Sequence, residues 1–242
     1  MTAIRTLDLT KSYGGKPAVD RLNLSVEQGE LVALLGVNGA GKTTVIKMLS
    51  CLVTPTSGDA QLLGVSAVRE PLRVKAMQSL SPQETAVAPG LTVRENLELI
   101  CGLYGCRRAE RRQRAARMID TLGLAEVAER RAKVLSGGWQ RRLSIAMALI
   151  TEPQILFLDE PTLGLDVLAR RALWQTIRQL KGQVTILLTT HYLEEAEALA
   201  DRIAILSGGR LTAFGTAGEL TAAAGAASFE DAFVALCGGD LL

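Results

Sequence analysis

The chain has 242 residues, 48% of them hydrophobic but only 4% aromatic, enough for a sizeable core built mainly from Leu, Val, Ile and Ala. Its 27 Lys and Arg nearly cancel 25 Asp and Glu, a net charge of +2 that argues against bulk electrostatic binding to nucleic acid. The four cysteines show no C-x-x-C spacing, which argues against a metal site and for free thiols in a reducing compartment.

Met1 to Asp8 lacks the apolar run of a secretory leader, and no stretch approaches the ~18–20 apolar residues that span a bilayer. Leu22, Leu24 and Val26 then alternate with Asn23, Ser25 and Glu27 ahead of a Gln28-Gly29 turn. That alternation predicts half-exposed antiparallel strands. Leu31–Leu35 differs in kind: a continuous apolar run marks a strand buried on both faces of a parallel sheet.

This strand runs into Gly36-Val37-Asn38-Gly39-Ala40-Gly41-Lys42-Thr43-Thr44, and a helix is expected over 43–52. Gly36, Gly41, Lys42 and Thr43 fill the G-x-x-x-x-G-K-[ST] pattern of a phosphate-binding loop, between a strand and a helix as that chemistry requires. The glycines let backbone N–H groups turn inward around a β-phosphate, and the helix N-terminus adds positive potential. Lys42 is placed to reach the β- and γ-phosphates and Thr43 to bind Mg²⁺.

From about 93 to 150 the strand signal disappears, and 93–105, 109–122 and 139–150 read as helices inserted in the sheet. Arginines 107–117 alternate with Ala and Gln as on a solvated helix face, without aromatics for base stacking. Leu135-Ser136-Gly137-Gly138-Trp139 repeats the device of small residues before a helix, a second anion-binding N-terminus. The apolar strand 155–158 ends in Asp159-Glu160. Asp159 is placed to hold the water shell of Mg²⁺ and Glu160 to polarise an attacking water.

Further on, 166–181 reads as a helix with Leu173, Ile177 and Leu180 on one stripe, and 184–188 as another buried strand. The segments 202–206 and 210–214 flank Ser207-Gly208-Gly209 as a hairpin. The Ala- and Gly-rich stretch 216–225 reads as a connector into a last short helix, Phe229–Leu236. The expected fold is an α/β P-loop NTPase: a mainly parallel sheet, an N-terminal antiparallel β subdomain and an inserted helical subdomain. It forms one domain, 1–242, with residues 1–92 and 151–242 as the core and 93–150 as the helical lobe.

The ordered set comprises the loop 36–44, Gln83 in Ser-Pro-Gln-Glu, Leu135–Trp139 of the second glycine motif, Asp159-Glu160, and Thr189-Thr190-His191. With these motifs the chain resembles the nucleotide-binding domain of ATP-binding-cassette (ABC) proteins over almost its whole length. That resemblance implies ATP and Mg²⁺ as ligands. It makes Tyr13 the aromatic that stacks on adenine, with Asn38, Gly39, Ala40 and Thr44 joining the phosphate cradle. It places Gln83 on Mg²⁺ and the attacking water. His191, the only histidine, takes the γ-phosphate and helps position Glu160. Ser136, Gly137, Gly138 and Asp166 meet the nucleotide of a second copy or a paralogue, in a sandwich of two ATP molecules.

Three positions depart from the commonest pattern: Trp139 replaces Gln, Leu163 Ser and Val167 Pro, which bears on rate and on coupling between sites. The run from Thr189 to Glu197 resembles bacterial drug, antibiotic and polysaccharide exporters, as does Ser228 to Phe233. The resemblance implies a separately encoded integral-membrane permease as partner and a peripheral position on the cytoplasmic face of the membrane, with no nucleic acid. A soluble single-cassette ABC ATPase of an assembly or cofactor-maturation complex is the alternative. A P-loop kinase or GTPase predicts no Ser-Gly-Gly motif, and a GTPase wants an Asn-Lys-x-Asp motif that is missing.

Overall fold

The computed structural model describes residues 1–237. Its centre is a six-stranded sheet in the order β11-β10-β4-β9-β8-β7. These strands are β4 (Leu31–Leu35), β7 (Gln78–Ser81), β8 (Ile155–Asp159), β9 (Thr185–Thr190), β10 (Arg202–Ser207) and β11 (Arg210–Gly215). Neighbouring strands run parallel except β10 and β11, which form the hairpin expected from Ser207-Gly208-Gly209.

The apolar runs within β4, β8 and β9 conceal a division of labour. Leu31, Ala33, Leu35, Leu156, Leu158, Ile186 and Leu188 face one core, shared with the helices. Val32, Leu34, Ile155, Phe157 and Leu187 face the other, shared with the N-terminal sheet. Period-two geometry thus sends alternate residues to opposite faces, both dry, so the central run of each strand is apolar without a break. The parallel order brings the carboxyl ends of β4, β8 and β9 together, where ligand sites form in such sheets.

The second sheet has five strands: β1 (Thr2–Tyr13), β2 (Lys16–Leu22), β3 (Ser25–Glu27), β5 (Ser57–Leu62) and β6 (Val65–Ser66), all paired antiparallel. Leu22, Leu24 and Val26 are buried as the alternation predicts. The 12-residue β1 lay outside the sequence reading, because register shifts interrupt its pattern and Asp8 adopts φ 45°. Helix α1 (Lys42–Leu49) is shorter than the expected 43–52, since Cys51 turns into the left-handed region at φ 56°.

Helix α2 (Pro71–Met77) leads into β7. No strand lies between β7 and β8; the segment is mainly α3 (Val93–Leu103), α4 (Arg108–Thr121) and α5 (Gly137–Leu149), with one isolated bridge pairing Thr92 and Arg131. Thr92 and Glu95 form a capping box that fixes the start of α3. On α4 the arginine face is exposed in part and laced with ion pairs, Arg114–Glu110 at 2.8 Å and Arg117–Glu152 at 2.9 Å. Helices α6 (Val167–Leu180) and α7 (Leu193–Leu199) flank β9 in the chain.

The stretch 216–225, expected as a connector, instead holds α8 (Ala217–Ala223) before α9 (Phe229–Leu236). Thr216 Oγ1 accepts from Glu219 N at 3.1 Å and Glu219 Oε2 from Thr216 N at 2.8 Å. That Thr-x-x-Glu box was present in the sequence, and alanine favours a helix once its first turn is capped. All four cysteines are free thiols.

Candidate active site

A cleft of about 350 Å³ opens at the carboxyl ends of the parallel strands. Its lining runs from Asn38 through Thr44 and is completed by Ala18, Gln83, Glu160, Leu163 and His191. Gly41 caps α1 at φ 101°, a conformation that strains any side chain, and a Cβ there would meet Ala18 O at 2.4 Å. Gly36, which begins the loop, also packs closely: a Cβ there would meet Leu206 O at 2.5 Å, so glycine is needed against β10.

Lys42 is buried, and its Nζ donates to Gly36 O at 2.7 Å and lies 3.4 Å from Glu160 Oε1. The other carboxylate oxygen of Glu160, Oε2, is 2.8 Å from His191 Nδ1. Glu160 sits between the two cationic or polar partners in a left-handed backbone conformation, φ 48°. Strain of this kind persists only where surrounding bonds over-determine it. Here the Glu160 N–H donates both to Thr189 O at 3.2 Å and to Thr189 Oγ1 at 2.9 Å.

Asp159 is buried beside this carboxylate; its Oδ1 accepts from Thr189 Oγ1 at 2.6 Å and from Thr43 Oγ1 at 3.2 Å. Thr43 and Asp159 therefore converge, though they stand 116 residues apart. Gln83 is held by its backbone: Arg141 of α5 donates to Pro82 O at 2.6 Å and to Gln83 O. Burial pushes the Arg141 guanidinium below its ordinary range, with Asp159 and Glu195 opposing the shift. Arg141 and Thr189 were not predicted as functional. Arg141 stands in an Arg141-Arg142 pair, and nothing local says which of the two turns inward.

The remaining predicted residues lie apart from the cleft. Tyr13 ends β1 half-exposed, with Lys11 Nζ 5.3 Å from its ring centroid, and does not line the cavity. Ser136 precedes α5 exposed, its side chain making no capping bond, followed by Gly137 and Gly138. Asp166 caps α6, accepting from Ala169 N at 2.9 Å. Trp139 packs on the core beneath Arg142, whose guanidinium lies 4.8 Å from its ring, while Val167 is exposed.

A glycine-rich loop feeding a helix, its lysine beside a carboxylate at the end of another parallel strand of the same sheet, defines a P-loop nucleoside triphosphatase. The comparisons narrow this class. A family model described as "ABC transporter" matches residues 19–163, more than half of the chain. The daunorubicin/doxorubicin resistance ATP-binding protein DrrA of Streptomyces peucetius is 46% identical over 224 residues, 92% of this chain and 68% of that one. The linearmycin resistance ATP-binding protein LnrL of Bacillus subtilis is 39% identical over 214 residues, 88% and 69% of the two chains. A solved ATP-binding subunit of an ABC transporter superposes with a TM-score of 0.85 at 32% identity, covering 97% of this chain and 99% of that chain. The dimeric cassette MJ0796, in a post-hydrolysis state with ADP and Pi, gives 0.79 at 28% identity, covering 88% and 98%. The chain belongs to the ABC transporter family and is an ATP-binding subunit with ATPase activity.

Proposed function

We propose that this subunit powers a drug exporter, hydrolysing ATP at a site that two chains complete and passing the closure of that dimer to a separate permease. The Lys42–Glu160–His191 constellation carries the reading. With Glu160 ionised, its Oε2 can only accept, so His191 Nδ1 donates to it; a γ-phosphate oxygen also only accepts, so its contact with Nε2 calls for the imidazolium, which donates from both nitrogens. Glu160 then orients and polarises the attacking water, while Lys42 neutralises charge on the β- and γ-phosphates. Breaking the Lys42–Glu160 contact to engage phosphate exchanges one anionic partner for another, so the lysine never loses compensation.

Thr43, Asp159 and Gln83 offer the hard oxygen donors that suit Mg²⁺, which is held by few protein groups together with substrate phosphates. Bound there, the ion would supply charge neutralisation at the β- and γ-phosphates. Asp159 and Thr43 are already joined through Oδ1, so one helix start and one strand end present these oxygens together.

Ser136 and Gly137 are exposed at a helix N-terminus and do not line this chain's own cleft, which suits contact with the nucleotide of a second copy or paralogue. Tyr13, half-exposed, is free to stack on adenine. No helix among the described residues is long and apolar enough to cross a membrane; in this reading a permease, met at the cytoplasmic face, carries the drug across. The drug-resistance names of the relatives support export.

The test is accumulation of daunorubicin in cells that co-express this chain with a polytopic membrane protein encoded beside it. Lower accumulation that Glu160→Gln restores is the expected result. Unchanged accumulation with ATP hydrolysis intact overturns the exporter reading.

A further inference from the structure

Glu195 lies on α7 with none of its surface exposed, four residues after His191 and outside the cleft lining. A fully buried carboxyl needs partners on every side. One is plain: Trp174 of α6 donates from Nε1 to Glu195 Oε1 at 3.0 Å. The hydroxyls of Thr162 and Thr190, themselves 1% and 0% exposed, lie close to the same carboxyl. Glu195 Oε2 and Thr162 Oγ1 are both buried without a hydrogen-bond partner among the described residues. Burial holds the Glu195 carboxyl above the usual carboxylate range, the hydroxyls and Trp174 pulling the other way and Glu160 adding to the rise.

What these groups belong to gives the arrangement its meaning. Thr162 is two residues beyond Glu160, on the loop leading to Asp166. Thr190 ends β9 immediately before His191, and its Oγ1 accepts from Tyr192 N at 3.0 Å. Outside the sheet, Arg170 of α6 stacks on Tyr192, its guanidinium 5.4 Å from the ring. The carboxyl of Glu195 therefore stands where α6, α7 and the two backbone segments carrying the water-polarising pair converge.

We propose that Glu195 is a positioning residue for hydrolysis: held by Trp174, its carboxyl ties the Thr162 loop to the Thr190 strand end and so keeps Glu160 and His191 in register. The inference rests on the assignment of Glu160 and His191 made above. A protonated carboxyl suits this purpose because it accepts from Trp174 through Oε1 and still has an O–H to offer the unpartnered Thr162 hydroxyl. Glutamine reproduces both roles; alanine reproduces neither. Positions of catalytic groups matter at the scale of an ångström, so a slackened clamp acts on turnover rather than on phosphate binding.

The experiment measures steady-state ATP hydrolysis by the purified chain, with rates normalised to the number of nucleotide-binding sites so that unfolded protein does not count. Glu195→Gln keeps kcat within about twofold, whereas Glu195→Ala lowers it about tenfold or more with KM for ATP within about twofold. Should Glu195→Ala fail to fold, Trp174→Phe keeps the ring bulk, removes only the indole donor and lowers kcat about threefold or more at unchanged KM. Unaltered kcat per site in the alanine and phenylalanine variants overturns the proposal. So does a rise in KM that accounts for the whole loss, or a glutamine variant as poor as alanine. Glu160→Gln run alongside separates the two failures: its retained turnover sinks the assignment of the pair itself.

Discussion

His191 and Glu160 meet at 2.8 Å through Nδ1 and Oε2, and they come from the ends of adjacent parallel strands. The carboxylate is 3.4 Å from Lys42 Nζ on its other side. One acidic side chain thus links the phosphate loop to the only histidine, and most of the chemistry assigned to this cleft passes through it.

Replacing that carboxylate without changing its shape isolates its role. Glu160→Gln keeps ATP binding but lowers turnover by about 10²–10⁴-fold, the range for loss of a general base. Because the bound triphosphate then persists, the variant accumulates as a dimer on size-exclusion chromatography with ATP. Turnover near the native rate would remove Glu160 from its role.

A site shared between chains has a genetic signature. Lys42→Ala damages the phosphate loop and Ser136→Arg the exposed helix start of α5. In mixed dimers some composite sites carry both lesions and others neither. Mixing two inactive preparations therefore restores part of the ATPase rate. A rate that stays at zero on mixing, or a native rate independent of protein concentration, counts against the two-chain site.

Arg141 couples the helical region to Gln83 through carbonyl oxygens alone. Arg141→Met keeps much of the aliphatic stem and removes the guanidinium. Loss of a hydrogen bond to a charged group costs about 1.5–3 kcal/mol, visible as a lower midpoint in denaturant titration. Turnover falls as well, since the Gln83 loop is freed, while ATP affinity is nearly kept. A variant of native stability would show that those contacts are replaceable.

The buried carboxyl of Glu195 gives stability a slope with pH. Its folded value is raised by burial, assisted by Glu160, with Arg141 on α5 the opposing charge. The folded chain then binds the proton more tightly than the unfolded one. Its contribution is fully present below the ordinary carboxylate value of 4.5 and is lost as pH rises through the folded value. Relative to Glu195→Gln, the native chain therefore loses stability over that rise. Denaturation midpoints of the two proteins that run parallel with pH would contradict the assignment.

The motifs were legible because each is compact and each requires particular residue types. Gly41 must take a positive φ, Lys42 must follow it, and Asp159-Glu160 must end a buried strand. The buried strands Leu31–Leu35 and 155–158 announced themselves by unbroken apolarity. Less was visible where local pattern and tertiary role diverge. β1 is irregular in register, so its period is broken, and the alanines of α8 resemble a linker until the Thr216–Glu219 box is noticed.

By itself the sequence determined the class of chemistry, since a phosphate cradle depends on backbone freedom and residue type within a few positions. Tertiary structure alone decided which groups share the cleft. It brought Thr43 to Asp159 and His191 to Glu160 by laying parallel strands side by side. It left Ser136 and Asp166 outside, and it set Gly36 against Leu206, where no side chain fits. The Arg141 clamp and the buried Glu195 junction belong to the same category. Their partners are separated by 58 or 59 residues in the first case and by 21 between Trp174 and Glu195 in the second, and such contacts exist only once the sheet and helices have packed.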